Sequence, residues 1–374
     1  MTAYIIRRLL LMIPTLLGIM LINSVVIEFA PGGPVEQAIA QLTGEGADIT
    51  QRITQTGTGE TLGAAAAPDA SAAPSRYRGA QGLDPEFIKE LEKRYGFDKP
   101  WYVRFLHRIR DYIVFDFGES FFRDRKVVDL VLDKMPVSIS LGIWTTLLVY
   151  LISIPLGIAK AVRDGSRFDV WTSFALVVGV AIPGFLFAVF LLVVFAGGSY
   201  LDWFPLSRLL SEQYVGLGFA GCITTSGCVI DYFWHITLPV ISMVIGGFAT
   251  LTLLTKNSFL DQLQQQYVLT ARAKGLSTRR VLYGHVFRNS MLIVIAGFPG
   301  AFVGILFGSS VLIETIFSLD GLGLLGFESV FNRDYPVVFG TLYFFALLGL
   351  LMNLIGDLTY TVVDPRIDFE AREV

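Results

Sequence analysis

The chain has 374 residues, 53% of them hydrophobic and only 16% charged, with a mean hydropathy of +0.60 and a formal net charge of −3. Average soluble domains carry about 25% charged residues, so this composition excludes an ordinary soluble fold, while the near-neutral balance says little about partners. Two cysteines, Cys222 and Cys228, are too few for a disulfide-rich secreted scaffold.

Six apolar runs approach or exceed the roughly 20 helical residues that cross a hydrocarbon core: Leu9–Ala30, Val137–Ala159, Val170–Ala196, Ile236–Thr255, Ser290–Ile313 and Val337–Val362. None has Lys or Arg in its interior. In lipid the backbone must bond to itself, so the runs read as helices; they are too long and too continuous for alternating barrel strands. The expected fold class is all-α, a polytopic membrane protein with six transmembrane helices.

The first run follows Arg7 and Arg8 and leads into PGGP, Pro31–Pro34. It is longer than a signal-peptide apolar region, which is about 7–15 residues, and reads as an uncleaved span within residues 1–30. Residues 31–136 form a large insertion. Its Leu42–Gly82 part is rich in Gly, Ala, Ser, Thr and Gln and reads as a flexible linker. Residues 84–134 read as helical. Asp84-Pro85-Glu86 supplies an N-cap acid, a first-turn proline and a second acid; Phe87, Leu91 and Tyr95 form a stripe that Gly96 ends. The amphipathic segment Trp101–Phe115 follows, expected on the outer membrane face or in a small cap.

Residues 137–362 hold the other five spans. Pro183 sits inside the third and Pro299 inside the fifth, each predicting a bend, either static or used as a hinge. Gly300, Gly304 and Gly308 repeat a small-xxx-small pattern that lets a helix approach closely, from this chain or from another. Cys222 and Cys228 fall in the loop between spans three and four. On the outer side a short disulfide is one reading and two free thiols the other; a metal site is not expected. Glu28 and Asp357 lie near span ends, and no chain of buried acids and bases marks a proton pathway.

Lys and Arg in the short loops orient the chain. With the N-terminus in the cytoplasm, the inner segments hold Arg7 and Arg8; Lys160, Arg163 and Arg167; Lys256 with five cations from Arg272 to Arg288; and Arg366 and Arg372. The two short outer loops hold only Arg208 and Arg333. Both termini, including the tail 363–374, are expected inside.

No phosphate-binding loop, H-E-x-x-H or G-x-S-x-G occurs. His107, His235 and His285 are far apart in sequence and read as polar anchors. The chain is expected to be non-catalytic, so energy for uphill transport must come from another chain.

Between spans four and five, within 256–289, lies YVLTARAKGLSTRRVLYGHVFRN, Tyr267–Asn289. It predicts a helix ending at Gly275, then a helix capped by Ser277 or Thr278. Tyr267, Leu269, Ala271 and the stems of Arg272 and Lys274 are the expected docking residues. A plain basic inner loop, or one that binds anionic headgroups, predicts the same charge.

The string Tyr267-Val268-Leu269-Thr270-Ala271-Arg272-Ala273-Lys274-Gly275-Leu276 resembles the coupling loop Y-V-x-T-A-R-A-K-G-L of dipeptide and oligopeptide ABC-importer permeases. Leu269 and Thr270 stand where the broader E-A-A-x-x-x-G loop has its glutamate and first alanine, and Ala271 keeps the second. Ile293 stands where that loop often has proline. RRLLLMIPTLLG, APGGP, ETIFSLDGLG at Glu314–Gly323, NRDYPVV at Asn332–Val338 and DPRIDF resemble other family segments. PGGPVEQAIA and the enlarged outer segment resemble the branch linked to peptide and microcin C uptake.

The resemblance implies the ABC type I importer permease fold in the bacterial inner membrane. It implies a second, non-identical permease (a heterodimer), ABC ATPase subunits that bind ATP and Mg, and a periplasmic peptide-binding protein. The cargo implied is peptide, and nothing points to nucleic acid. Tyr267, Leu269, Thr270, Ala271, Arg272, Ala273, Lys274 and Gly275 would form the ATPase-coupling helix. Alternatives are a secondary ion-coupled transporter, or a permease for another solute such as nickel or opines. Pathway residues are not legible, and spans two to five are the expected lining.

Overall fold

The computed structural model describes residues 2–29, 86, 89, 99–123, 125–196, 198, 200–304 and 310–363. The PGGP turn, the linker Leu42–Gly82, the 84–96 helix apart from helical Glu86 and Lys89, Gly308 and DPRIDF lie outside the described residues. Among the described residues the fold is all-α, with one isolated antiparallel bridge between Glu119 and Lys126.

Helix α1 runs Thr2–Phe29, α2 Trp101–Ile113, α3 Val127–Val162, α4 Arg167–Ala181, α5 Gly184–Phe195, α6 Gly218–Thr224 and α7 Ser226–Leu263. Helix α8 runs Gln266–Ala273, α9 Thr278–Val281, α10 Phe287–Gly304, α11 Ser310–Ile316, α12 Leu322–Phe331 and α13 Tyr335–Val363. Five helical stretches are long and apolar enough to cross a membrane, and the α4–α5 pair makes a sixth if counted as one span. The helices outrun the apolar runs: α3 has 36 residues and α7 has 38, about 54 and 57 Å at 1.5 Å per residue, against a core of about 30 Å.

Pro183 corrects the sequence reading. A bent continuous helix was expected, and the chain instead stops and restarts, with α4 and α5 at 89°. Proline lacks the N–H and disfavours helical backbone in the residue before it. Ile182 is extended (φ −86, ψ 116), and α5 begins when Leu186 and Phe187 N–H groups bond to the Pro183 carbonyl. Pro136 and Pro155 in α3, Pro239 in α7 and Pro299 in α10 stay inside continuous helices. The insertion also departs from an all-helical 84–134: Val114–Lys126 is turns and a bridge, and α3 starts at Val127.

The chain divides into two compact units. The first comprises Met1–Met12, Val131–Leu325 and Phe344–Val374. One of its cores gathers Leu141, Ala188, Leu191, Ile236 and Ile313. Another gathers Val149, Phe259, Val268, Ala271, Val281 and Val294. A Cβ at Gly157 would lie 2.6 Å from Thr255 Cβ and 2.8 Å from the Thr252 carbonyl oxygen, so glycine is what lets α3 and α7 come this close. Arg8 pairs with Asp357 at 2.7 Å, and the Tyr4 hydroxyl donates to the same carboxylate. The first turns of α1 and the last turns of α13 therefore meet, which agrees with both termini lying on one side.

The second unit comprises Ile13–Leu130 and Gly326–Tyr343. Tyr112 of α2 packs edge-on against Phe117 and Tyr343, with centroids 4.8 and 5.3 Å apart. Ser120 Oγ and the Phe121 N–H both donate to the Asp334 carboxylate, and Arg123 pairs with Glu328 at 2.7 Å.

Candidate functional site: an inner docking helix, its clamp and a one-sided cavity

The last turns of α7 carry the chain beyond its apolar run to Leu263. There Gln265 turns extended (φ −74, ψ 148), and its carbonyl accepts from Val268 and Leu269 to start α8. The helix stops as its sequence demands. Gly275 adopts a left-handed φ of +77, its N–H bonds the Arg272 carbonyl at 2.9 Å, and the Leu276 N–H bonds the Ala271 carbonyl at 3.3 Å. This double closure is the Schellman arrangement, and it needs a residue without a Cβ penalty at Gly275.

The two faces of α8 have different jobs. Val268 and Ala271 are buried against Phe259, Val281 and Val286. Tyr267 is half-buried and its hydroxyl donates to Gln262 Oε1 at 2.8 Å. Leu269, Thr270, Arg272, Ala273, Lys274 and Gly275 are exposed, Leu269 at 55%. The expected docking set is thus corrected: Tyr267 and Ala271 face the chain's own core, because helical spacing puts 267, 268 and 271 on the side that closes against α7 and α9. Ser277 stands at the start of α9 without a side-chain capping bond. A π-turn, Leu282–Val286, then carries exposed Tyr283, Gly284 and His285 into α10, which passes Ile293 without a break. Ser258 Oγ donates to the Ser290 carbonyl at 2.8 Å and ties α7 to α10.

Beside this loop lies a charged cluster that the sequence reading counted only as inner-loop charge. Lys160, at the end of α3, is 0% exposed. Its three ammonium hydrogens go to the Asp169 carbonyl, Thr172 Oγ1 and Ser173 Oγ at 2.7–2.9 Å, and Asp169 Oδ1 sits 2.9 Å away as a further ionic contact. Lys256 of α7 donates to Asp169 Oδ2 at 2.7 Å and pairs with Asp164 at 2.8 Å. Asp169 therefore joins the inner ends of α3, α4 and α7. The available signal was Lys160 just past an apolar run, with acids 164 and 169 following.

On the other side, Glu314 is fully buried. It accepts from the Leu324 N–H at 2.7 Å and from Ser138 Oγ at 3.0 Å, while the Leu322 N–H donates to Ser138 Oγ. A carboxylate thus sits at the positive start of α12. A Cβ at Gly321 would fall 2.3 Å from Glu314 Oε1, which explains the spacing of Glu and Gly in ETIFSLDGLG. The sulfurs of Cys222 and Cys228 are bonded to each other.

A cavity of about 670 Å³ opens between α3, α5, α7, α10 and α11. Its lining is mostly apolar, with Val149, Phe185, Met243, Leu251, Val294 and Ile313, interspersed with Thr145, Thr146, Tyr150, Ser242 and Thr250 and with Gly246, Gly247, Gly297 and Gly304, and among the described residues no charged residue takes part. Gly300 and Gly304 have nothing from this chain within 4 Å of where a Cβ would stand, so among the described residues they receive no helix. Pro299 is buried, and its ring fits against Gly356 of α13.

Among the described residues, five apolar spans, or six with the bent α4–α5 pair, surround a cavity, an arrangement that fits a transport permease. Residues 153–369 match the model of the binding-protein-dependent transport system inner membrane component, and the chain belongs to that family. It is 61% identical, over the whole of both chains, to the peptidoglycan transport system permease protein YejB of Agrobacterium fabrum. It is 56% identical to the inner membrane ABC transporter permease protein YejB of Escherichia coli O157:H7, again over the whole of both. The oligopeptide transport system permease protein AppB of Bacillus subtilis is 34% identical over 99% of this chain and 100% of that one. A chain of the MetNI methionine ABC transporter, solved in inward-facing conformations, covers 63% of this chain and 97% of its own, with a TM-score of 0.47 and 13% identity.

Proposed function

We propose that this chain is one of two non-identical permease subunits of an ATP-driven importer that moves peptides across the bacterial inner membrane. The observation that carries the mechanism is α8. It is anchored on one face by Val268 and Ala271, ended at Gly275, and presents Leu269, Thr270, Arg272 and Ala273 outward. An ATPase subunit holds that outward face, and ATP and Mg are bound and spent there, not in this chain. A second permease closes the open side of the cavity and covers Gly300 and Gly304. A periplasmic binding protein delivers cargo from the outer side. The names of the relatives favour peptide or peptidoglycan-derived cargo, and a peptide-like antibiotic such as microcin C falls in the same class. A mostly apolar wall with glycines and no charge among the described residues suits peptides of varied side chains, because it makes no fixed ionic demand.

The test is Arg272→Glu combined with Leu269→Glu in the assembled complex. Both side chains are exposed, so assembly of this subunit is expected to survive. Cargo-stimulated ATP hydrolysis and uptake are expected to fall at least tenfold together. Unchanged uptake would remove α8 from the mechanism. Uptake driven by a proton gradient in vesicles lacking the ATPase subunits would overturn the ATP-driven reading.

A further inference from the structure

Helix α2 carries an apolar face that the described residues leave open. Its inward side, through Arg108 and Tyr112, is used: Arg108 Nη1 donates to Ser24 Oγ of α1 at 2.9 Å, and Tyr112 packs on Tyr343 of α13. Its outward side shows Trp101, Tyr102, Leu106 and Ile113 to solvent, with Leu106 62% and Ile113 69% exposed. Val114 and Phe115 continue this exposed surface past the helix end. Tyr102, Leu106 and Ile113 follow at i, i+4 and i+11, one face of a helix. Arg104, Arg108 and Arg110 fall within the same two turns, against one acid, Asp111.

The two anchors fix the depth of this helix. Ser24 lies five residues before Phe29, the end of α1 away from Arg7 and Arg8, or about 7.5 Å inside that end at 1.5 Å per residue. Tyr343 lies eight residues into α13, or about 12 Å inside its outer end. Both anchors thus lie in the outer parts of their apolar spans. The open face of α2 is also similar in chemistry to that of α1, where Leu21, Ile22, Val25 and Val26 are exposed.

We propose that α2 is an in-plane interfacial helix that seats its open face in the outer leaflet of the inner membrane and holds an anionic phospholipid headgroup with exposed Arg110. Basic amphipathic helices with Trp, Phe or Leu on the opposite face bind this way, the apolar side lying about 5–10 Å into the headgroup boundary. Trp101 and Tyr102 supply the amphipathic rings that prefer this level, and the guanidinium fork fits a phosphate. The inference rests on membrane embedding alone, so it stands or falls independently of the cargo.

The experiment places spin labels at Leu106→Cys and Ile113→Cys, one at a time, in the complete transporter reconstituted into nanodiscs, with Cys222 and Cys228 kept as the disulfide. Depth is read from the ratio of oxygen to water-soluble nickel-chelate accessibility, with Arg208→Cys as the exposed reference. In discs containing phosphatidylglycerol, both labels are expected below the phosphate level, and Arg110→Gln is expected to make them shallower. Nickel accessibility equal to the Arg208 label overturns the proposal. So does protection that appears only when the periplasmic binding protein is added, which would make this face a protein-docking surface. Equal depth in phosphatidylglycerol and phosphatidylcholine discs overturns the assignment of Arg110 to anionic headgroups.

Discussion

Replacing Asp169 with Asn removes one negative charge from between two lysines while keeping shape and volume. The consequence follows from who retains what. Lys160 keeps the Asp169 carbonyl, Thr172 and Ser173 for its three hydrogens, so no donor is stranded, but its buried charge loses its counter-ion. Lys256 keeps Asp164, whose side chain is half exposed and therefore a weak substitute. Breaking a buried pair from one side costs about 3–5 kcal/mol; the satisfied donors place this case at about 3 kcal/mol. For a chain of this size that is a fall of about 4 °C in melting midpoint. Scanning fluorimetry of the detergent-solubilised complex reads it. Asp169→Leu with Lys160→Met, which removes both buried charges, should recover part of the loss, since well-packed apolar replacements of buried pairs are often neutral. An Asp169→Asn protein melting within 1 °C of the parent, or a double variant worse than the single, would refute the clamp.

Gly157→Ala should wedge α3 from α7, because its new methyl would meet Thr255 Cβ at 2.6 Å. Overpacking of this kind costs about 1–3 kcal/mol, and the same fluorimetry should show a lower midpoint. Ala271→Asp, on the buried face of α8, should lower subunit yield and stability, whereas Ala273→Asp, on the open face, should leave the melt unchanged and impair only cargo-stimulated ATP hydrolysis. Burial holds the Asp334 carboxyl above its usual 3.8 despite Ser120, Phe121 and Arg123 around it. A raised acid binds its proton more tightly in the folded form, so its contribution is full below about pH 4 and declines as pH rises through the folded pKa. Hydrogen exchange at Phe121 and Arg123, corrected for intrinsic rates, should show protection falling with pH above that point, and Asp334→Asn should flatten the slope.

The parts of this molecule legible in its sequence are those written in local patterns. Each span announced itself by length and apolarity, and α8 by a helix-forming string stopped at Gly275. Its two faces were not separable, because Tyr267, Leu269 and Ala271 all looked suitable for docking until α9 and the π-turn folded back over one side. Pro183 was visible, but whether a proline bends a helix or ends it depends on the preceding backbone. Here Ile182 settles into extended geometry, while Pro239 and Pro299 remain within helices. Gly300 and Gly304 suggested a packed neighbour, yet the glycines that this chain uses are Gly157, Gly321 and Gly356, each marked only by what lies opposite. Asp169 was hidden for the same reason: its partners stand 9 and 87 residues away, and charge counting along the chain cannot pair them.

These long-range contacts determine how a push on α8 travels. The buried face of α8 is continuous with Phe259 of α7, and α7 runs without interruption to Thr250, Gly247 and Met243 in the cavity wall. Nine residues separate Phe259 from Thr250, about 14 Å of helix. At Thr252 and Thr255 the same helix bears directly on Gly157 of α3, and at Lys256 it is bound through Asp169 to α4. A displacement at Leu269 therefore cannot move α7 alone. It carries the inner ends of α3 and α4 with it, and the nearest place for the strain to be taken up is the 89° break at Pro183, beside Gly184 and Phe185 in the cavity lining. We propose that, with an ATPase driving α8, the break serves as the joint and the Lys160–Asp169–Lys256 cluster as the lever. Loosening the cluster should uncouple ATP hydrolysis from transport more severely than it lowers either rate alone.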